Sequence, residues 1–313
     1  MRSSPWLSLC TGKLEMAIRP VPKPNPNPIP PFDAKAYYAD YDHEAVLALS
    51  RKTLITPLTY NRKGTVERCV GATNRHKLES KIYIHDDCSD EYDETWLAQF
   101  GDRVFRHPRS HGGKNGVKNL RSNIVKSVLG DFQPEVFKPW LDEDFGSEGP
   151  EYLYQVDSDG YHDPHFFYRL HEIMEKFPEW GSICLYNAYF HSPRGGRKDR
   201  FSDPHTVIRE IGAGISMFVR MQSFRDNPLK VQVPDRRGWD GFYSIEIAKR
   251  KVFTSLVSFV EHFGKWGFHN KGNWERDRAL NPTVYLSGVR EDNISQIEAE
   301  HVITQKRMAD EAC

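Results

Sequence analysis

Apolar positions along the chain alternate between strand-like and helix-like periods. Residues 52–60, KTLITPLTY, are apolar and β-branched ahead of a turn and predict a buried strand. A short helix follows through Val66 and Val70, and KIYIH at 81–85 predicts a second strand. Residues 94–100 predict a helix, and RVFRH at 103–107 a third strand. Within 116–129, Val117, Leu120, Ile124 and Val128 recur at helical spacing. EYLYQV at 151–156 predicts a fourth strand. Asp163-Pro164, in N-cap then N1 order, opens a helix whose apolar face is Phe166, Phe167, Leu170, Ile173, Met174 and Phe177. GSICLYN at 181–187 and GAGISMFVR at 212–220 predict two more strands. Strands alternating with helices predict an α/β, Rossmann-like fold: a mainly parallel central sheet flanked by helices. Ligands of such sheets bind at the carboxyl ends of the strands.

Composition narrows the picture. The 313 residues are 38% hydrophobic and 27% charged, ordinary for a globular protein with a sizeable core. Lysine plus arginine and aspartate plus glutamate both number 43, so the chain exerts no global pull on nucleic acid or an anionic membrane. The five cysteines, at 10, 69, 88, 184 and 313, have no zinc-like or redox-pair spacing and read as free thiols in a reducing compartment. No apolar run approaches the ~20 residues that span a bilayer, and Trp6 to Cys10 is too short for a signal-peptide core. The expectation is a cytoplasmic protein. Seven prolines in residues 20–31 predict an extended arm. The expected organisation is a proline-rich arm and lead-in at 1–50, a domain at 51–270, and a tail at 271–313 with a helix at 292–309.

Candidate chemistry gathers at the strand ends. The first strand ends in Pro57-Leu58-Thr59-Tyr60-Asn61-Arg62, the second in His85-Asp86-Asp87-Cys88-Ser89-Asp90, and the fourth in Asp157-Ser158-Asp159. An aromatic ring can stack on a base, a carboxylate can accept from a base or ribose, and a close Asp pair can hold Mg²⁺ or Mn²⁺. Each motif alone reads as an ordinary turn, and the Asp-x-Asp as a solvated one before Gly160. Their order and strand context point further.

In that order the chain resembles the inverting GT-A glycosyltransferases of family 2. Thr59 to Arg62 is similar to the family's Thr-Tyr-Asn-Arg segment. Asp86 to Asp90 is similar to its Asp-Asp-Gly-Ser-x-Asp segment, with Cys88 in place of the glycine, a departure that implies a somewhat different turn. GGKNGVKNLRSN at 112–123 is similar to its Gly- and Asn-rich lead into a helix, with Arg121 at the matching arginine, and Asp157 and Asp159 match its DxD. The resemblance covers roughly residues 51–270. It implies that Pro57, Leu58 and Tyr60 surround a uracil-type base, that Asp87 contacts base or ribose, and that Arg121 approaches the nucleotide. It further implies that Asp157 contacts ribose or metal and that Asp159 coordinates Mn²⁺ or Mg²⁺. On the residues alone Arg121 shares a polar helix face with Lys114, Lys118 and Lys126, where solvation is expected.

The second half of the chain adds a base and a metal ligand by the same resemblance. Asp240, in Gly238-Trp239-Asp240-Gly241 before a helix, stands where an N-cap would. The family places its catalytic carboxylate in such a setting. SLVSFVEHFGKWGFH at 255–269 resembles the family's closing strand, matching at Ser258, Val260, His262, Gly264 and Gly267. It implies His262, with His269 second, as a metal ligand, although a lone histidine in an apolar strand also reads as structural. Residues 191–205, polar and containing Arg194, Arg197, Lys198 and Arg200, suit a loop over the acceptor or the donor phosphates.

The implied activity is transfer of a sugar, with inversion, from a nucleotide sugar, a UDP-hexose above all, to a hydroxyl of a glycan, lipid or protein. A modified nucleic-acid base is a second acceptor class, served by basic residues in 106–126 and 191–200. Two other classes stay open: a nucleotidyltransferase, though no Gly-rich phosphate loop follows Leu58, and a non-catalytic nucleotide-sugar-binding module.

Overall fold

A computed structural model describes residues 32–111, 113–187, 200–234 and 238–262. The proline-rich segment, the C-terminal tail with its expected helix, and His269 lie outside the described residues, as does most of the 191–205 loop.

The chain enters through α1 (Ala34–Tyr37) and α2 (His43–Arg51), each started by an aspartate, Asp33 or Asp42, whose side chain accepts from a first-turn amide. The strands and helices β1 (Thr53–Thr59), α3 (Lys63–His76), β2 (Lys81–Asp86), α4 (Glu94–Leu97) and β3 (Arg103–Arg106) follow, close to the expected bounds. Next come α5 (Gly113–Leu129), α6 (Pro134–Phe145), β4 (Tyr152–Asp157), β5 (Gly160–His162), α7 (Phe166–Lys176) and β6 (Ser182–Cys184). A hairpin of β7 (Arg200–Asp203) and β8 (Thr206–Arg209) leads to β9 (Ser216–Arg220) and α8 (Met221–Arg225). Last are α9 (Trp239–Glu246), β10 (Val252–Ser255) and β11 (Val260–His262).

Nine strands form one sheet in the order β3-β2-β1-β4-β9-β6-β10-β8-β7. Only β9 and β8 of these run against the rest. The expected α/β class is therefore present, a mainly parallel central sheet flanked by helices. Successive strand residues serve opposite faces. Ile55, Ile82, Ile84 and Tyr154 join Val66, Val70, Phe166 and Phe167 in one core. Leu54, Tyr83 and Leu153 join Val125, Phe137, Leu141 and Tyr243 in the other.

Pro57 sits in the central strand β1. The β1–β2 ladder pairs Leu54 and Ile55, then Leu58 and Thr59, and passes over Thr56 and Pro57, where the proline has no N–H to give.

Several expectations change. α7 starts at Phe166 with His165 as its N-cap, so Asp163-Pro164 precedes the helix and does not form its N-cap and N1. The lead-in before residue 51 belongs to the core: Ala34, Tyr38, Val46 and Leu49 are buried in its first part. Two helices this short carry too few apolar repeats to be legible as periodic segments. The expected closing strand at 255–269 is divided instead. Val252–Ser255 extends the main sheet, while Val260–His262 pairs antiparallel with β5 in a separate two-stranded ribbon.

Candidate active site at the strand ends

The ends of β1 and β2 are tied together by the side chains that follow them. Asp86 is fully buried and accepts from the Thr59 hydroxyl at 2.9 Å, the Ser89 amide at 2.9 Å and the Ser89 hydroxyl at 2.5 Å. It therefore builds the turn and has no face toward a ligand. The Asn61 amide donates to Ser89 Oγ at 2.8 Å, and Asn61 Oδ1 accepts from the Asp90 amide at 2.9 Å. Cys88 adopts φ 62°, the left-handed conformation that the expected glycine would take freely, so the cysteine fills the same kind of turn.

Asp87, the next residue, turns toward the β3–α5 connection. Its Oδ2 accepts from the Ser110 hydroxyl at 3.0 Å, its Oδ1 from the His111 amide at 2.9 Å, and the His111 ring Nδ1 lies 2.9 Å from the same oxygen. Tyr60 at the end of β1 is half exposed, while Pro57 is buried and Leu58 partly so. A half-exposed aromatic thus lies at one strand end and a hydrogen-bonded carboxylate at the next.

Asp157 ends β4, and Arg121 reaches it from α5. The Arg121 side chain has no solvent exposure. Its Nη2 donates to Asp157 Oδ1 and, at 2.8 Å, to the Val156 carbonyl. Its guanidinium lies 4.7 Å from the Trp239 ring centroid. Burial pulls its pKa down, and the Asp157 charge opposes this. This corrects the reading of Arg121 as solvated on a polar helix face: α5 packs that side chain under the strand ends, against Asp157.

Asp159 lies two residues beyond, before Gly160 opens β5. Pairing of β11 with β5 sets His262 opposite Gly160 and so beside Asp159. His262 Nε2 lies 3.3 Å from Asp159 Oδ2, and Arg62 Nη1 donates to the same oxygen at 2.9 Å. Burial opposes ionisation of Asp159, but His262 and Arg62 outweigh it and hold its carboxyl far below the usual range.

Asp240 stands in the first turn of α9, where the N-cap is Gly238. The expectation that Asp240 itself caps the helix is therefore corrected: its Oδ1 accepts from the amide of Gly241, at 2.8 Å. A Cβ at Gly214 would fall 2.6 Å from the Trp239 ring, so a bare glycine lets α9 close onto the sheet. Asp240 comes near Asp157 in consequence. Burial pushes its carboxyl up, with the Gly241 amide opposing and the Asp157 charge adding.

The structure thus brings Asp157, Asp159, His262, Arg121 and Asp240 together, with Tyr60 and Asp87 on the adjoining strand ends. Sequence reasoning gave no role to Arg62 or His111. Arg62 sits in the segment that follows β1, and its ion pair with Asp159 is visible only in the structure. Among the described residues no three His, Cys, Asp or Glu side chains gather as a cation site. The carboxylate of Asp159 and the imidazole of His262 are nevertheless suitable donors for Mn²⁺ or Mg²⁺. Such an ion commonly takes one or two protein ligands and fills the rest with phosphate oxygens and water.

No helix among the described residues is long and apolar enough to cross a membrane. No protein-family model and no curated protein sequence matches the chain. Solved structures similar to it include S. aureus TarS 1-349, at 14% identity and TM-score 0.45 over 66% of this chain and 59% of that one. The same protein in complex with UDP-GlcNAc is similar at 14% identity and TM-score 0.44, over 66% of this chain and 57% of that one. A197 from STIV is similar at 11% identity and TM-score 0.36, over 67% of this chain and 83% of that one. This chain spans about 59% of the length of the first of these structures.

Proposed function

We propose that this chain is a GT-A type glycosyltransferase that transfers a sugar from a nucleotide sugar, with a UDP-hexose as donor, to an acceptor hydroxyl. One observation carries this reading. An exposed aromatic and three carboxylates at the ends of β1, β2 and β4 adjoin a fourth carboxylate, Asp240, whose burial raises its pKa.

In this reading the base stacks on Tyr60, above Pro57 and Leu58, and Asp87 accepts from the base or ribose. Asp157, oriented by Arg121, faces the ribose. Asp159 and His262 would hold Mn²⁺ or Mg²⁺, which when bound supplies charge to neutralise the leaving diphosphate. Asp240 is the general base. The acceptor oxygen attacks the anomeric carbon while its proton passes to the Asp240 carboxylate. The bond from that carbon to the phosphate oxygen breaks, and its electron pair leaves with the nucleoside diphosphate. Attack opposite the leaving group inverts the anomeric centre. A raised pKa makes Asp240 a stronger base, and such tuning is common at catalytic carboxylates. The acceptor is a hydroxyl of a glycan, lipid or protein.

The test is a panel of sugar nucleotides with Mn²⁺, read as released UDP, GDP or pyrophosphate. The expected result is UDP from a UDP-hexose, abolished by EDTA and restored by Mn²⁺. Pyrophosphate would indicate nucleotidyl transfer instead. Tight UDP binding with no release from any donor and acceptor mixture would indicate a binding module.

A further inference from the structure

We propose that Arg62 is a diphosphate-binding residue that, in the nucleotide-free protein, occupies the Asp159 oxygen a divalent cation would take. The inference rests on the glycosyltransferase reading above and adds a residue to it.

Three observations converge. Arg62 Nη1 donates to Asp159 Oδ2 at 2.9 Å, the same oxygen that His262 Nε2 approaches at 3.3 Å. The pair is well shielded, with side-chain exposures of 23% for Arg62 and 13% each for Asp159 and His262. An ion pair so placed is screened far less than a surface one. The second observation is backbone strain. Asn61 at φ 49° and Arg62 at φ 62° are successive non-glycine residues in the left-handed region. Such a conformation is costly and persists only where the surroundings impose it. Here Asn61 is clamped by Ser89, by the Asp90 amide and by the Tyr92 hydroxyl, which donates to the Asn61 carbonyl at 3.0 Å. The clamp fixes where the Arg62 side chain departs.

The third observation is the charge pattern. Asp157 is matched by Arg121 and Asp159 by Arg62, so the acid pair already has two guanidinium partners. Arg121 is buried and cannot leave, whereas Arg62 stands at the partly open end. A cation arriving at Asp159 would sit against the Arg62 charge unless Arg62 moved away. A nucleoside diphosphate entering with the cation offers phosphate oxygens as new partners, which a guanidinium suits. Arg62 exchanges Asp159 for the diphosphate, and every charge keeps a partner. The cation alone provides no such exchange and should bind weakly.

The test uses the full chain and Mn²⁺ alone, titrated by the loss of the free-ion paramagnetic resonance signal, followed by calorimetric UDP titration with Mn²⁺ present. Arg62→Met keeps the stem and removes the charge. Arg62→Met is expected to bind Mn²⁺ alone about tenfold more tightly than wild type, and to bind UDP with Mn²⁺ about tenfold more weakly. Circular dichroism checks that the variant is folded, and Arg62→Lys, retaining a charge without the fork, should fall between the two. Unchanged Mn²⁺ affinity in Arg62→Met, or unchanged UDP affinity, overturns the proposal. Asp159→Asn separates the two readings. If it abolishes Mn²⁺ binding while Arg62→Met alters nothing, only the Arg62 role falls. If no protein binds Mn²⁺ even with UDP, the metal reading falls and takes this proposal with it.

Discussion

The guanidinium of Arg121, wholly removed from solvent, donates to the carboxylate of Asp157 and to the carbonyl of the preceding residue. It also lies 3.4 Å from the Thr56 carbonyl and packs on Trp239, so one side chain from α5 joins β1, β4 and α9. The Asp157 side chain left behind is 38% exposed and can be hydrated, so loss of Arg121 costs less than removal of a partner from a fully buried pair, about 1–3 kcal/mol. Arg121→Met should lower unfolding stability in urea by that order and, in protein that still folds, weaken nucleotide binding through a misplaced Asp157. Wild-type stability for this variant would show that Asp157 needs no buried partner.

Asp240→Asn tests the general base. The N-cap is Gly238, so the variant loses no capping side chain and should fold normally. Transfer should fall by roughly 10²–10⁴, the usual worth of general-base catalysis, with UDP affinity little changed. The acid limb of the wild-type pH–rate profile should lie above the ordinary aspartate value of 3.8, because the raised pKa keeps the base protonated at higher pH. Turnover close to wild type, with the limb retained, would dismiss Asp240 from the chemistry. A joint loss of turnover and UDP binding would make it part of the donor site.

Asp87 is held in a fixed orientation by Ser110 and His111, and in the proposed reading it accepts from the base or ribose. Calorimetry should find UDP bound more tightly than GDP or CDP. Asp87→Asn should reduce the UDP affinity about tenfold, the scale of a hydrogen bond to a charged group. A clear preference for GDP would move the donor to another nucleotide class.

The N-terminal helices should prove part of the domain. Deleting residues 1–31 is expected to leave activity unchanged, whereas deleting 1–50 removes the buried Tyr38, Val46 and Leu49. Burial of those three is worth roughly 5–9 kcal/mol as an upper estimate, comparable to the whole stability of a domain. The longer deletion should therefore yield insoluble or unfolded protein, and a soluble, cooperative 51–313 fragment would contradict this.

Glu172 reports the same docking. It accepts from Tyr37 and Tyr38 of the α1 segment, at 2.9 and 2.7 Å, and pairs with Arg169 and Lys176. Burial disfavours its charge, but Arg169, Lys176 and Tyr38 outweigh that and bring its pKa down to about 2. Its contribution to stability is full above 4.5, its ordinary value, and is lost as pH falls toward 2. Glu172→Gln should remove about 2–3 kcal/mol at neutral pH and flatten the acid side of a stability–pH curve. An unchanged curve would locate acid sensitivity elsewhere.

Alternation and helical spacing determined β1 to β4 and β6, most of the helices beside them and the strand ends at which a ligand would bind, while β7 emerged from the expected 191–205 loop and β10 carried no legible period. The motif order at those ends placed Tyr60, Asp87, Asp157 and Asp159 along one edge of the sheet. These features are local: a period reports which face of a segment is buried, and a strand's end follows from its turn residues. Only the tertiary structure decided what those faces meet. His262 reaches Asp159 because β11 pairs with β5, a partner distant in the chain, and the sequence around His262 reads equally as a continuous strand. Arg121 looks solvated by spacing, yet Asp157, two carbonyls and Trp239 take it into the interior. Arg62 gains its meaning from a left-handed turn held by residues of the next strand end. The helices at 34–51 become core only because their few apolar side chains dock on α7 and its surroundings. Local periodicity carries no term for such long-range pairing, and charge partners are chosen by packing.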